Sequence, residues 1–312
     1  MKILYLDIHA DTPNSKKYRY YENIYTELKK DNDITLVRGV TDIKNFCLSN
    51  NYKPDLVLFG LGFFSAGYYG SVNNIDVPTA CVIFKPQDKL KEKLNFCMIN
   101  GVDLILTPNH QYREYSKLTG IRAELIPYGF EPEYFYNRGS FKEYDIGFSG
   151  ALHDSKHYPP GAFPVENIRG EIGKILNRRE DLRLFWSAKD GTPSRIPSYD
   201  DYAATVGKSK IWIATQAPFG DITPRVLEIA GSNTLVFCQK LHENYSHIFK
   251  HGHNCVEFEN DLSDFEEKLD YYLNNEAELN RITKNGFDHV HKNYTCAKMA
   301  TRMMEEIKKI SR

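Results

Sequence analysis

The chain reads as an α/β protein made of two Rossmann-like, doubly wound parallel-sheet domains. Three observations predict this. Apolar runs of four to six residues, the length of strands, alternate along the chain with longer segments of helical period. Such alternation marks a parallel sheet covered on both faces. The length of 312 residues suits two domains of roughly 150 residues each. A Pro/Gly segment, Ile126-Pro-Tyr-Gly-Phe-Glu-Pro-Glu-Tyr-Phe135, breaks the alternation after a sixth strand, and a second alternation follows it.

In the first half, residues 3–7 form a short apolar strand after a charged start. Residues 18–30 have helical period and 34–37 are a strand. Residues 42–50 are helical, and 56–59 are a strand entered through Lys53-Pro54-Asp55. A strand at 79–84, a helix at 89–100, a strand at 102–106, a helix at 110–119 and a short strand at 123–126 complete this half. In the second half, strands at 145–149, 182–187, 210–215, 235–238 and 255–258 alternate with helices at 165–178, 199–207, 224–230 and 245–250. Helices at 262–274 and 276–291 follow. Residues 295–310 form a last amphipathic helix, with Met299, Met303, Ile307 and Ile310 on one side.

Composition narrows the function class. The formal net charge is −1, from 40 basic and 41 acidic residues, so no basic footprint points to nucleic acid. The start, Met1-Lys-Ile-Leu-Tyr-Leu-Asp7, is interrupted by charge too soon for a signal peptide. No apolar run reaches the ~20 residues of a membrane helix. The six cysteines are scattered without a CxxC pair and read as reduced thiols, which predicts a cytoplasmic location. The sequons at Asn244 and Asn293 carry no meaning without secretion.

The most informative segment is Gly220-Asp-Ile-Thr-Pro-Arg-Val-Leu-Glu-Ile-Ala-Gly231, followed by a buried strand. A Gly/Pro loop leads into a helix that starts at Pro224, a residue suited to the first turn because that N–H has no helical partner. The free N–H groups of Ile222 and Thr223, with the helix dipole, make an anion site. Arg225 adds a fork suited to phosphate. Asp221 lies beside it, and Glu228, one turn on, can accept hydrogen bonds from vicinal hydroxyls. Phosphate donors beside a hydroxyl acceptor suit a nucleotide sugar. An ordinary strand–loop–helix connection is the alternative reading of the same residues.

On these residues the chain resembles GT-B glycosyltransferases of the group 1 type, and among them the branch of the spore-maturation-protein-like enzymes. Glu228, in Arg225-Val-Leu-Glu-Ile-Ala-Gly231, matches the second Glu of the donor motif, while the first Glu position falls on Gly220. Ile126 to Phe135 is similar to the interdomain segment of that family. The resemblance implies two Rossmann-like domains facing a cleft. Residues 1–138 would bind acceptor, 139–295 would bind the nucleotide sugar, and the helix at 296–312 would pack back on the first domain.

The resemblance also assigns further residues. Tyr144-Asp-Ile-Gly-Phe-Ser-Gly150 looks like the first strand of the donor domain, with Gly150 letting the backbone approach phosphate. Lys156 is the best match to a basic residue that meets the diphosphate, with His157 and Arg169 behind it. Lys189, in Ser187-Ala-Lys-Asp-Gly191, would lie near phosphates or ribose, and Ser198 belongs to a segment whose backbone would meet the base. Lys85 and His110 follow the fourth and fifth strands, where the family places an orienting or catalytic group. Tyr20 and Tyr68 belong to aromatic segments that would stack on an acceptor sugar, although Tyr18, Tyr21 and Tyr25 also suit plain core packing.

Two segments resemble metal motifs. His242, His247, His251 and His253 lie close together near Cys255, yet they fall on a helix and turn between strands. Asp31-Asn-Asp33 matches an Asp-x-Asp metal site superficially and precedes a strand as a turn would. The expected function is transfer of a sugar from a nucleotide-diphosphate sugar to an acceptor, retaining and independent of metal, with no cofactor besides the co-substrate. A sugar-nucleotide epimerase of the same fold, or a non-catalytic binding relative, are the alternatives.

Overall fold

A computed structural model describes residues 1–7, 10, 19–38, 42–61, 75–86, 89–152, 164–165, 167–190, 196, 198–217 and 220–310; side chains are described for all of these except 19–23, 61, 151 and 189–190. The chain divides into two compact units, one of residues 1–129 with 296–312 and one of residues 130–295.

Among its described residues unit 1 has six strands: β1 (Lys2–Leu6), β2 (Asp33–Val37), β3 (Leu56–Leu61), β4 (Thr79–Ile83), β5 (Leu104–Thr107) and β6 (Arg122–Leu125). They form one parallel sheet in the order β2-β1-β3-β4-β5-β6. Described strand residues of β3, β4 and β5 are buried throughout, as strands covered on both faces must be, and this is why they read as unbroken apolar runs. Its helices are α1 (Arg19–Asp31), α2 (Ile43–Ser49), α3 (Leu90–Ile99), α4 (Tyr112–Thr119) and the last helix of the chain, α10 (Cys296–Lys308). One core joins Leu4, Val57, Phe59, Cys81 and Ile83 of the sheet to Leu94 and Cys97 of α3 and Tyr115 of α4. α10 packs against α1 and buries Met299, Met303 and Ile307 of the predicted stripe, while Ile310 lies past the end of the helix and is half-buried.

Among its described residues unit 2 has five parallel strands: β7 (Tyr144–Leu152), β8 (Leu184–Asp190), β9 (Ser209–Ala214), β10 (Leu235–Gln239) and β11 (Val256–Phe258), in the order β11-β10-β9-β7-β8. Its helices are α5 (Ile168–Leu176), α6 (Tyr199–Gly207), α7 (Pro224–Gly231), α8 (Phe265–Asn274) and α9 (Glu276–Asn293). Gly147 of β7 lies opposite Trp212 of β9. A Cβ at Gly147 would fall 2.1 Å from the indole ring, so glycine is what allows the buried Trp212 to lie flat on the neighbouring strand.

In both sheets the first strand sits between the second and third. The connection therefore reverses direction beside β1 and beside β7. In open α/β sheets ligands bind outside the carboxyl ends of the strands at such a reversal. In unit 2 that place lies between the ends of β7 and β9.

Most element types follow the expectations, with ends moved by up to three residues, and three of the differences have a visible cause. β7 and β8 run past 149 and 187, because their ladder continues through Ala151 opposite Lys189 and Leu152 opposite Asp190. Backbone pairing holds these residues extended whatever their polarity. The helix expected at 245–250 is a 3-10 turn at Glu243–Tyr245 followed by turns. Asn254 accepts from the Lys250 N–H at 2.7 Å and donates to the Ile248 carbonyl at 3.0 Å, taking groups that a helix would use. α8 starts at Phe265 rather than 262. Leu262 is left-handed, with φ 63°, between Asp261, which accepts from Ser263 N, and Asp264, which accepts from Glu259 N.

Candidate functional site

The site is built on the N-terminus of α7. β9 ends at Ala214, and the chain turns back through a loop in which the Ala217 N–H donates to the Asp221 carbonyl at 2.9 Å. Gly220 takes φ 76° in this turn. The Asp221 carboxylate is buried and accepts from the Tyr245 hydroxyl at 3.2 Å. It therefore fixes the loop and is turned inward. Ile222 is buried, Thr223 caps the helix in an extended conformation, and Pro224 occupies the first turn. Residues 226 to 231 of α7 are all buried. The Thr223 hydroxyl makes no capping bond. It and Arg225 Nε are both buried, with no hydrogen-bonding partner among the described residues.

Two guanidinium groups converge beside Gly150, at the end of β7. A Cβ built on Gly150 would lie 3.4 Å from Arg225 Nη1 and 3.6 Å from Arg169 Nη1. Arg169 comes from the first turn of α5, which Asn167 caps by accepting from Gly170 N at 3.1 Å. Its side chain is 6% exposed, and its Nε donates to Thr215 Oγ1 at 2.7 Å. Two cations, a helix N-terminus and a glycine backbone thus share the crevice at the chain reversal. Such a group of donors suits an anion with more than one charge.

Behind Arg225, one turn into α7, lies Glu228, 6% exposed. Its Oε1 accepts from the Tyr199 hydroxyl at 2.9 Å. Burial raises its pKa, and the hydrogen bond from Tyr199, the charge of Arg225 and the nearby Tyr202 hydroxyl oppose that rise. Burial, with Glu228 next, pushes the Tyr199 and Tyr202 hydroxyls far above the ordinary phenol range, so both are neutral donors at any working pH.

The segment 172–305, from α5 to α10, matches the family described as glycosyl transferase-like. Solved structures with similar folds include HepE from Anabaena in complex with UDP, at TM-score 0.64 and 10% identity over 99% of this chain and 100% of that one. A sucrose-phosphate synthase from Thermosynechococcus elongatus gives TM-score 0.62 at 9% identity over 99% of both chains. A glycosyltransferase from Rickettsia africae gives 0.59 at 12% over 99% and 98%. The fold is GT-B, and its segment from α5 to α10 is glycosyl transferase-like. Among curated proteins no sequence match is found.

Within this GT-B chain the structure brings Gly150 beside Arg225, on the helix that Thr223 caps and that carries Glu228, while the Asp221 carboxylate turns to Tyr245. Ser198 stands at the start of α6, where its hydroxyl accepts from Asp201 N at 3.0 Å and donates to Asp201 Oδ2 at 2.7 Å. Its side chain serves the helix cap. Lys189 pairs with Ala151 at the end of β8, its side chain outside the described set. Lys156 and His157 lie outside the described residues, as does Tyr68. Tyr20 lies in α1, again without a described side chain.

Lys85 and His110 belong to unit 1. Lys85 follows β4 with φ 51°, and its carbonyl accepts from Lys93 Nζ at 3.0 Å. Lys93 is fully buried and also holds the Phe84 carbonyl at 2.9 Å. His110 is 9% exposed just before α4. Asp31 closes α1 and Asp33 opens β2. His242 Nδ1 and His251 Nδ1 accept from the backbone N–H groups of Asn244 and Glu257. Among the described residues no three His, Cys, Asp or Glu side chains converge as a metal site would require.

Tyr199, Tyr202 and Thr215 carry no signal in the sequence that ties them to this site. Tyr199 and Tyr202 sit three apart on α6 like any packed aromatic pair. Only their position in unit 2 sets them against Glu228.

Proposed function

We propose that the chain transfers a sugar from a nucleotide-diphosphate sugar to an acceptor, with the donor held by unit 2. The observation that carries this reading is the pair Arg225 and Arg169 beside Gly150, at the mouth of the sheet and at the start of α7. A diphosphate placed there would meet two guanidinium groups and the free N–H groups of the α7 N-terminus. Structures of the same fold named as complexes with UDP and with UDP-glucose support the ligand class.

Transfer breaks the bond between the anomeric carbon and the diphosphate oxygen, and the diphosphate leaves with the electron pair. Charge that grows on that oxygen is what Arg225, Arg169 and the helix N-terminus would stabilise, more strongly in the transition state than before it. Glu228 would accept hydroxyl groups of the donor, and Thr223 would donate to a phosphate oxygen. The reading extends to a retaining outcome, to independence from divalent metal, and to acceptor contacts from Tyr20 and Tyr68 with Lys85 or His110 orienting the acceptor.

Isothermal calorimetry with UDP-, GDP-, dTDP- and ADP-sugars tests the donor class. One of them should bind, release its nucleotide on incubation, and lose affinity in Arg225→Ala. If none binds, the proposal fails. Binding without any release of nucleotide over long incubation would leave a binding protein in place of an enzyme.

A further inference from the structure

We propose that Tyr199 is a positioning residue of the donor site, its hydroxyl holding the Glu228 carboxylate in the arrangement that α7 presents to the donor. This rests on the reading of α7 as the nucleotide-sugar helix. The argument starts from burial. A carboxylate that is 6% exposed, on a helix buried from Val226 onward, needs donors, or it will not stay ionised. α7 supplies none of its own except Arg225 three residues earlier, which acts on Glu228 through charge. The directed donor is the Tyr199 hydroxyl, 2.9 Å from Oε1, brought from α6.

Tyr199 is itself held. Its ring meets Phe135 edge-on at 5.1 Å between centroids and Tyr134 at 5.1 Å, both from the segment that enters unit 2. Tyr202, one turn along α6, packs on Phe135 and on Trp212 and brings its hydroxyl beside Glu228 and Arg225. Among the described residues the groups that act on Glu228 are therefore Tyr199 and Tyr202 from α6 and Arg225 from α7, and Glu131 acts on Tyr199. With Oε1 occupied by Tyr199, Oε2 is the oxygen left to receive a donor hydroxyl. Loss of the Tyr199 bond would free the carboxyl group to turn and make it easier to protonate.

Tyr199→Phe tests this, because it keeps the ring against Phe135 and Tyr134 and removes one oxygen. Calorimetric donor affinity should fall roughly tenfold, the scale of one hydrogen bond to a charged group. The acid limb of the affinity–pH profile should move to higher pH, a change that loosened packing alone would not produce. The double variant Tyr199→Phe/Glu228→Gln should bind no worse than Glu228→Gln, because Tyr199 acts through that carboxylate. Wild-type affinity and an unmoved acid limb in Tyr199→Phe overturn the proposal, as do additive losses in the double variant. Arg225→Ala separates the two readings. If it too leaves donor affinity unchanged, α7 is not the donor helix and the inference falls with that reading. If it weakens binding while Tyr199→Phe does not, the inference alone is wrong.

Discussion

Arg169 and Thr215 are joined by a hydrogen bond of 2.7 Å from Nε to Oγ1, which fastens the first turn of α5 to the end of β9. The bond spends Nε on the protein and presents Nη1 toward Gly150. The guanidinium is thus oriented before any ligand arrives, and its buried side chain has little freedom left to lose on binding.

Arg169→Lys keeps the charge but loses the fork. Donor affinity should drop by about 1–3 kcal/mol, the range for a hydrogen bond to a charged group. Thr215→Val, which removes only the orienting oxygen, should weaken binding by less. Calorimetry on both variants checks this order, and equal affinity in Arg169→Lys and wild type would remove Arg169 from the site.

Glu228→Gln should weaken nucleotide-sugar binding by about 1–3 kcal/mol while thermal unfolding shows an intact fold. Arg225→Ala should depress both transfer and slow hydrolysis of the donor, since it removes charge stabilisation from the departing diphosphate. An Arg225→Ala protein that transfers at the normal rate would exclude that role.

Treatment with EDTA should leave donor turnover intact, the protein's cations and helix N–H groups serving the leaving group. Activity that vanishes with EDTA and returns with Mn²⁺ would contradict this.

Asp145 gives a prediction of stability against pH. Its carboxylate accepts from Arg183 Nε at 3.0 Å and Nη2 at 2.9 Å and pairs with Lys210 at 2.8 Å. The Arg183 hydrogen bond, then Lys210, hold its pKa well below the ordinary carboxylate value against the opposing effect of burial. A carboxylate with a depressed folded pKa stabilises the fold above its unfolded pKa, and this contribution disappears as pH falls from about 4 toward the folded value. At neutral pH Asp145→Asn should cost about 1–3 kcal/mol. Between about pH 4 and pH 2 the wild type should lose more stability than the variant, so their unfolding midpoints should approach each other. Parallel curves across that range would refute the assignment.

Tyr20→Ala or Tyr68→Ala should impair transfer to acceptor while leaving donor affinity and slow donor hydrolysis nearly unchanged. Loss of nucleotide binding in either variant would move the donor away from unit 2. A fall in melting temperature alone would make the rings core packing.

Some of this molecule follows from local sequence. Buried parallel strands such as Thr79-Ala-Cys-Val-Ile83 must be apolar on both faces, so they stand out as unbroken runs. Pro224 in a first turn, Arg225 beside it and the small residues Ala230 and Gly231 place the two ends of α7 within a stretch of a dozen residues, because capping chemistry acts between near neighbours. The α10 stripe follows from helical period for the same reason. The partners were a different matter. Tyr199 and Glu228 lie 29 residues apart, and Arg169 and Thr215 lie 46 apart. Lys142 belongs to none of the sequence motifs. Yet its ammonium closes the C-terminal ends of α6 and α7 by holding the Gly207 and Asn233 carbonyls at 2.9 Å each, and burial lowers its pKa to about 8. Period and propensity are set by neighbours along the chain. Which donor meets which acceptor across α5, α6 and α7 is set by how those helices pack on the sheet, and packing depends on the whole unit at once.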